Sequence, residues 1–511
     1  MEWWSSGVAQ NKKTSLQHSS TPVYYRQDFE LTDWIVWTIL MDLASKKVVI
    51  VGLGRTGLAV ARFLHQRGAR IVATDTADET TLGDTVKTLR DMAIEVELGA
   101  HRSSVFDKSD LIVISPGVSH TIAPVVQARS RGVQVVGEVE LAARFIQAPI
   151  VAVTGTNGKT TTTELLGQML HNSGIAAFVG GNIGNPLIDY VSNGQKEPLV
   201  VAEISSFQLD TIDRFRPSIS ILLNITADHL DRYPDFEAYA DSKIRIFKNQ
   251  QAGDVAVLNG SDPLIRAKTA DIKSQRLFFP APRANEQGAV LNGKRIILNL
   301  EKLNQIESKI RIPNSEFRIQ ANLDITQTAL MGRHNYENAC AASLAALAAG
   351  GTLDGIQQTL VQFKGLPHRL EHVATINNVH FYNDSKATNV DGVLRALDCF
   401  AKPVLLLMGG RDKGSNFTAL KDVIGQHVKE LIVMGEAAAP IKSALGPIVP
   451  TKVADSMPGA VATAFQDAGP DEVVLLSPGC ASFDWYGSYA ERGDDFRRAI
   501  EALKKRMNRQ A

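Results

Sequence analysis

The sequence predicts an α/β protein of three successive domains, each built on a mainly parallel sheet with helices against its faces. Three observations predict it. From residue 46 onward, short apolar β-rich runs alternate with helix-length segments, the rhythm of parallel strands joined by helical crossovers. Two of those runs end in glycine-broken turns that open a helix, at Gly52 and at Gly155. The chain of 511 residues is too long for a single core, and usual domain sizes divide it into about three.

Residues 1–45 are polar, with Trp3, Trp4, Trp34 and Trp37 scattered among Ser, Gln and Thr. They read as an N-terminal extension that is disordered or not native. Met41 stands just before the first strand, and translation is expected to begin there. The apolar run 34–41, flanked by Asp33 and Asp42, is about half the length that spans a bilayer. No membrane insertion is expected, and Asp42 also breaks the pattern of a signal peptide.

The first domain, 46–148, carries runs at 48–51, 71–73, 111–114 and 133–136 and closes near Gln147-Ala148-Pro149. Gly52-Leu53-Gly54-Arg55-Thr56-Gly57 follows a strand and opens a helix, and Asp75 ends the next strand. That is the Rossmann-like spacing for a dinucleotide. The geometry asks only for a pyrophosphate and a hydroxylated sugar, so a uridine diphosphate sugar fits as well as NAD. Glycines that merely allow tight strand-to-helix packing would give the same spacing. Ser115-Pro116-Gly117, after the run 111–114, adds a second anion-friendly turn on the same sheet edge.

The second domain, 149–365, has runs at 150–153, 199–204, 219–223 and 255–258, then a polar stretch and the alanine-rich helix 336–349. Gly155-Thr156-Asn157-Gly158-Lys159-Thr160-Thr161 directly follows the first run. A strand that ends in such a turn aims free N–H groups and a helix dipole at one point, which suits a phosphate. Lys159 adds a cation, and Thr160 offers a hydroxyl to Mg²⁺. The common phosphate loop wants a glycine where Val153 stands, so this is a shorter variant in a P-loop ATPase-like parallel-sheet domain. Glu203, closing an apolar run, is positioned to hold Mg²⁺. The loop 224–234 crowds Asp228, His229, Asp231 and Arg232 beside it; a lone histidine is as readily a satisfied structural residue as a functional one.

The third domain, 366–511, has runs at 379–382, 404–408, 431–434 and 473–476 and closes with a charged helix, 489–507. Arg369 is suited to phosphates as a bidentate donor. Asp384, Lys386 and Thr388 suit a zwitterionic or dicarboxylic substrate, Lys413 follows another strand, and Ser482 lies on the turn after the last one. Cys480 has no Cys-His motif and reads as a small buried hydrophobe.

Lysine plus arginine equals aspartate plus glutamate, 54 each. No global charge favours nucleic acid, so substrate charge must be met locally. Three cysteines, Cys340, Cys399 and Cys480, lie far apart without metal-ligand spacing, which fits a reducing cytoplasm rather than a disulfide framework.

Together these segments, from about Lys46 to the C-terminus, resemble the Mur ligase family of ATP-dependent amide-forming enzymes. Asn383-Asp384-Ser385-Lys386-Ala387-Thr388-Asn389 and Ser477-Pro478-Gly479-Cys480-Ala481-Ser482-Phe483-Asp484 are similar to the members that add D-glutamate. The resemblance implies ligation of D-glutamate to UDP-N-acetylmuramoyl-L-alanine in peptidoglycan precursor synthesis, through an acyl phosphate, with release of ADP and phosphate. It implies a Rossmann-like C-terminal domain, a cytoplasmic setting and small-molecule substrates only.

Position by position, the resemblance makes Gly155 to Thr161 the ATP phosphate loop and assigns Lys159, Glu203, His229 and Lys243 to catalysis. Thr160, Glu203, His229 and Lys243 would surround two Mg²⁺ ions, Lys243 as a CO₂-carbamylated side chain. Asn335, Asn338, Arg369 and Asp384 match further ATP contacts. Arg55, Thr56, Asp75, Thr76, Ser115, Gly117 and Asn182 match the nucleotide-sugar substrate, and Lys386, Thr388, Lys413, Ser482 and Tyr489 the D-glutamate pocket. The base for the amine is unassigned. An oxidoreductase, resting on Gly52 to Gly57, would leave the phosphate loop and third domain unexplained. A nucleotide-switch protein would bind or hydrolyse ATP without substrate-dependent ADP release. A sister ligase adding another amino acid, or a folylpolyglutamate synthetase, would keep the same loop.

Overall fold

The computed structural model describes residues 43–229, 232–280, 282–283, 285–301, 303, 319–412 and 414–510. Residues 1–42 of the expected extension, Met41 among them, lie outside the described residues, as do Asp231 and Lys413. Three sheets follow one another along the chain.

The first contains β1 (Lys47–Val51), β2 (Arg70–Thr74), β3 (Glu95–Glu97), β4 (Leu111–Ile114) and β5 (Gln134–Gly137) in the order β3-β2-β1-β4-β5. All its pairings are parallel. The apolar runs of β1 and β4 are continuous because both faces of the sheet are covered. β3 escapes the apolar reading because Glu-Val-Glu is an edge strand held by backbone pairing to β2.

The second sheet contains β6 (Ile150–Thr154), β7 (Phe178–Gly181), β8 (Val200–Glu203), β9 (Ile219–Leu222), β10 (Val255–Asn259), β11 (Gln275–Phe279), β12 (Gly288–Asn292), β13 (Arg295–Leu300) and β14 (Ile319–Asp324). Their order is β14-β13-β12-β11-β10-β9-β6-β8-β7. Strands β6 to β11 pair in parallel and β12 joins β11 in parallel, whereas β13 pairs antiparallel with both β12 and β14. The polar stretch expected here therefore contains an antiparallel extension. Its inward residues, Ala289, Ile296, Leu298, Leu300 and Leu323, alternate with outward ones that are mostly polar, and join the central core.

That core lies between the sheet and two helices, Lys159–Asn172 and Arg333–Ala348. Leu165, Leu166 and Met169 are fully buried, each contributing about 1.5–3 kcal/mol over exposure. The alanines at 339, 341, 342, 345 and 346 are buried too, and their small side chains let the two helices approach.

The third sheet contains β15 (Glu371–Ile376), β16 (Val379–Asn383), β17 (Val404–Gly409), β18 (Val428–Met434), β19 (Thr451–Val453) and β20 (Val473–Leu476), ordered β15-β16-β20-β17-β18-β19. Only β15 runs antiparallel. Separate apolar clusters cover its two faces.

In each sheet the strand order turns about one strand: β1 lies between β2 and β4, β6 between β8 and β9, and β20 between β16 and β17. The crevice at the carboxyl ends of such strands is where an open α/β sheet receives ligands. The turns at Gly52, Gly155 and Gly479 follow β1, β6 and β20, and Ser115-Pro116-Gly117 follows the neighbouring β4.

A buried carboxylate ties the first sheet's last helix to the second domain. Glu140, fully buried, accepts backbone N–H bonds from Asp213 (2.9 Å), Arg214 (3.0 Å) and Phe215 (2.9 Å) and a 2.9 Å bond from Arg144 Nε. Glu140→Ala leaves those N–H groups without a partner and is expected to cost about 3 kcal/mol. Denaturant titration checks this, and an unchanged midpoint would contradict it.

Candidate active site

The site grows from the end of β6. Register places Val153 beside Glu203 of β8 and Thr154 beside Leu222 of β9, so the loop after Thr154, the carboxylate of Glu203 and the segment from Asn224 share one edge. Gly158 has φ 88°, in the left-handed region, and caps the helix Lys159–Asn172 without any side chain. A Cβ there would also run into the side chain of Asn338. Both facts require glycine and leave the first N–H groups of the helix free to face an anion.

Asn224 fixes the loop: its Oδ1 accepts from Asn157 N at 2.8 Å and its Nδ2 donates to Asn157 O at 3.0 Å. The Thr156 hydroxyl makes a 3.1 Å bond to Thr226 O and a 3.0 Å bond with the Tyr239 hydroxyl. Asn224 and Tyr239 were missed by the sequence reading, because only the fold brings them to the loop.

Two lysines converge on this loop. Lys159 Nζ donates to Gly155 O and Thr156 O, both at 2.8 Å, and Lys243 Nζ donates to Gly155 O at 2.9 Å. Lys243 is 2% exposed at the end of the helix Phe236–Ile244. Burial, with Lys159 as a second cause, holds its amine well below the usual lysine range. Burial likewise lowers Lys159.

Glu203 is buried; its Oε1 accepts from Asn182 Nδ2 at 2.9 Å, and its Oε2 has no hydrogen-bond partner among the described residues. A buried carboxylate oxygen left in this way beside a glycine cradle and a threonine hydroxyl is a donor set suited to Mg²⁺ with phosphate. His229 sits in the left-handed region at φ 55°, edge-on to Phe207 at 4.9 Å, with Nε2 3.7 Å from Asp228 Oδ2. Asn335 and Asn338 lie on the first turns of the helix Arg333–Ala348 and join through a 3.3 Å bond, with Asn338 against Gly158.

The third domain reaches the same loop. Arg369 Nη2 donates to Thr160 Oγ1 at 2.6 Å, and Asn157 Nδ2 donates to Asp391 Oδ2 at 2.6 Å. Asp384, after β16, accepts from Ser477 Oγ at 3.0 Å and Leu370 N at 3.2 Å, and burial pushes its carboxyl up to about 7. Lys386 Nζ lies 3.8 Å from the Tyr489 ring centroid, Thr388 is half-buried, and Ser482 is buried on the turn after β20. Burial pushes the Cys480 thiol up to about 12, in keeping with an inert side chain.

Arg492 organises these turns. Buried at 2% exposure, it donates to Ser385 O (2.9 Å), Ser385 Oγ (3.0 Å) and Cys480 O (3.1 Å), with longer bonds to Ala481 O and Gly409 O. Its position in a charged helix gave no sign of this.

On the first sheet, Arg55 and Thr56 begin the helix Arg55–Gln66, and Arg55 Nη2 donates to Asn185 Oδ1 at 2.5 Å. Asp75 braces the glycine turn by accepting from Leu53 N (2.6 Å) and Ala77 N (2.9 Å), while Thr76 is exposed. Ser115 Oγ donates to Gly52 O at 2.8 Å, joining the two turns of this edge. Arg232 Nη1, from the second domain, donates to Gly117 O at 3.2 Å. Of the expected nucleotide-sugar residues, Ser115 lines a small cleft together with Pro116, Phe207, Gln208 and Arg232. Among the described residues no helix is long and apolar enough to cross a membrane.

Compared with known families, residues 46–137 match the Mur ligase MurD-like N-terminal domain, 153–346 the Mur ligase middle domain and 368–480 the Mur ligase glutamate ligase domain. The UDP-N-acetylmuramoylalanine--D-glutamate ligase of Desulfatibacillum aliphaticivorans is 52% identical, covering 91% of this chain and all of its own. The protein of the same name from Desulfosudis oleivorans is 48% identical, over 91% of this chain and 98% of its own. Among solved structures, a pseudomurein peptide ligase type C from Methanothermus fervidus shares the fold with a TM-score of 0.55 at 19% identity, covering 90% of this chain and all of that one. MurF ligase from Thermotoga maritima in complex with ADP does so with a TM-score of 0.55 at 15% identity, covering 90% and 96%.

Proposed function

The chain belongs to the Mur ligase family and is an ADP-forming amide ligase, and from that premise we propose that it joins D-glutamate to UDP-N-acetylmuramoyl-L-alanine in the cytoplasm. The observation that carries this reading is the meeting, at one sheet edge, of a glycine-cradled loop, two lysines, a partnerless carboxylate oxygen and Arg369 from the third domain. Domains at 46–148, 149–365 and 366–511 would hold the nucleotide sugar, ATP and D-glutamate in that order.

A carboxylate and an amine do not condense in water until a carboxylate oxygen becomes a leaving group. The L-alanyl carboxylate attacks the γ-phosphorus of ATP, ADP departs, and an acyl phosphate forms. The neutral amine of D-glutamate then attacks the acyl carbon, and phosphate leaves with the original carboxylate oxygen.

The loop N–H groups and Lys159 hold the phosphates and spread the negative charge of transfer. Thr160, Glu203 and His229 are the side chains that would hold Mg²⁺, which when bound screens phosphate charge. Asn182 orients Glu203 through its 2.9 Å bond. Arg55, Thr56, Asp75, Thr76, Ser115 and Gly117 would border the uridine nucleotide, Asn335 and Asn338 the adenine, and Lys386, Thr388, Lys413, Ser482 and Tyr489 the D-glutamate. Closure of the third domain on the loop excludes water from the acyl phosphate.

Lys243 bears on the second metal ion. Burial and Lys159 weaken the hold of this amine on its proton, and in its neutral form it can add to CO₂, losing a proton to give a carbamate anion. Protein equilibrated with ¹³C-bicarbonate is expected to show one carbamate signal that Lys243→Arg abolishes. Its persistence in the variant would assign it elsewhere.

An amino-acid panel with the nucleotide-linked muramoyl-alanine acceptor, read by phosphate release and product mass, tests the reading. D-glutamate is expected to be the one strong substrate. Equal turnover with another amino acid would favour a sister ligase, and nicotinamide reduction without ATP an oxidoreductase.

A further inference from the structure

We propose that Asp391 is a positioning residue that docks the third domain on the phosphate loop through Asn157, and so sets where the amine meets the activated carboxylate. The proposal rests on the reading that residues 155–160 hold the phosphates of ATP.

The backbone of Asn157 is locked on both sides by Asn224, so its side chain alone is free to leave the loop. It does so toward the third domain: Nδ2 donates to Asp391 Oδ2 at 2.6 Å across 234 residues of sequence. The same oxygen accepts from Arg395 Nε at 2.8 Å, one turn further along the helix Val390–Leu397. Asp391 is thus held in place by its own helix before it meets the loop.

A second contact runs beside the first. Asn389 caps this helix, with Oδ1 accepting from Gly392 N at 2.8 Å, and gives its Nδ2 to Asp228 Oδ2 at 3.1 Å. One capped helix start therefore touches both the phosphate loop and the loop that carries His229. The segment leading into it, 384–389, carries Lys386 and Thr388, the residues expected at the amino acid. A shift of the helix start moves those two groups relative to the phosphates.

Asp391 and Asn389 meet the second domain through hydrogen bonds to Asn157 and Asp228, whereas Arg369 brings a cation to Thr160. The Asp391 side chain is 21% exposed, so its hydrogen bonds can be broken and remade as the domain moves. This differs from the fully buried Glu140 joint between the first and second domains.

The full-length chain, assayed at saturating ATP, tests this. Asp391→Ala is expected to lower kcat by about 10–100-fold, since misplacing reacting groups by about 1 Å costs that much, and to raise KM for D-glutamate. The Kd for ADP by calorimetry should stay within about twofold, because the loop itself is untouched. Combining it with Asn157→Ala should slow kcat no further than the slower single variant, as expected for two ends of one contact. Asp391→Asn, which keeps an acceptor oxygen for Asn157, should recover most of kcat.

Wild-type kinetics in Asp391→Ala, additive losses in the double variant, or no recovery in Asp391→Asn would each overturn the proposal and leave Asp391 a support for its own helix. Failure of the wild-type chain to release ADP in response to D-glutamate would instead overturn the ligase reading itself.

Discussion

Lys159→Ala is expected to lower D-glutamate-dependent ADP release by about 10³-fold or more while leaving the fold intact. The loss follows from the place of the ammonium at the loop, where it donates to Gly155 O and Thr156 O and stands ready for the phosphates. A preorganised cation in a partly desolvated cleft is worth far more to the charge of phosphoryl transfer than one in water. Retention of the fold follows from electrostatics. Burial lowers the Lys159 amine, so replacing it takes a desolvated charge out of the folded protein. The thermal midpoint should therefore hold or rise. Turnover near the wild-type rate would reject the role of Lys159, and a collapsed midpoint would reject the electrostatic account.

Arg492→Met is expected to be the most destabilising single change in the third domain, by about 3–5 kcal/mol. Methionine fills similar volume but donates nothing, so the carbonyls of Ser385 and Cys480 lose their buried partner. The turns after β16 and β20 would then separate, and these carry Lys386, Thr388 and Ser482. A raised KM for D-glutamate should accompany the lower stability, with ADP affinity little changed. Thermal unfolding and steady-state kinetics on one preparation check both. A stable variant with normal KM would show that the turns hold themselves.

The contrast between Lys159 and Arg492 explains what was legible in the sequence. Lys159 belongs to a local pattern, strand then glycines then helix, in which geometry and chemistry lie within a few residues. Glu203 was legible for the same reason, as a carboxylate at the end of an apolar run. Arg492 lies in a charged helix whose sequence reads as a solvated surface, and only the packing of two distant turns gives it partners. The contact between Asn157 and Asp391 is likewise a product of domain arrangement. Strand β7, Phe178–Gly181, ends in two glycines and breaks the apolar pattern. Strands β12 to β14 bury one face only, so their period-two signal is short and diluted by the polar face.

The most direct measurement uses acceptor labelled with ¹⁸O in both oxygens of its L-alanyl carboxylate, incubated with ATP, Mg²⁺ and D-glutamate. The account predicts one ¹⁸O in each released phosphate and the other in the new amide carbonyl. Unlabelled phosphate alongside the amide product, or no phosphate release at all, would contradict it.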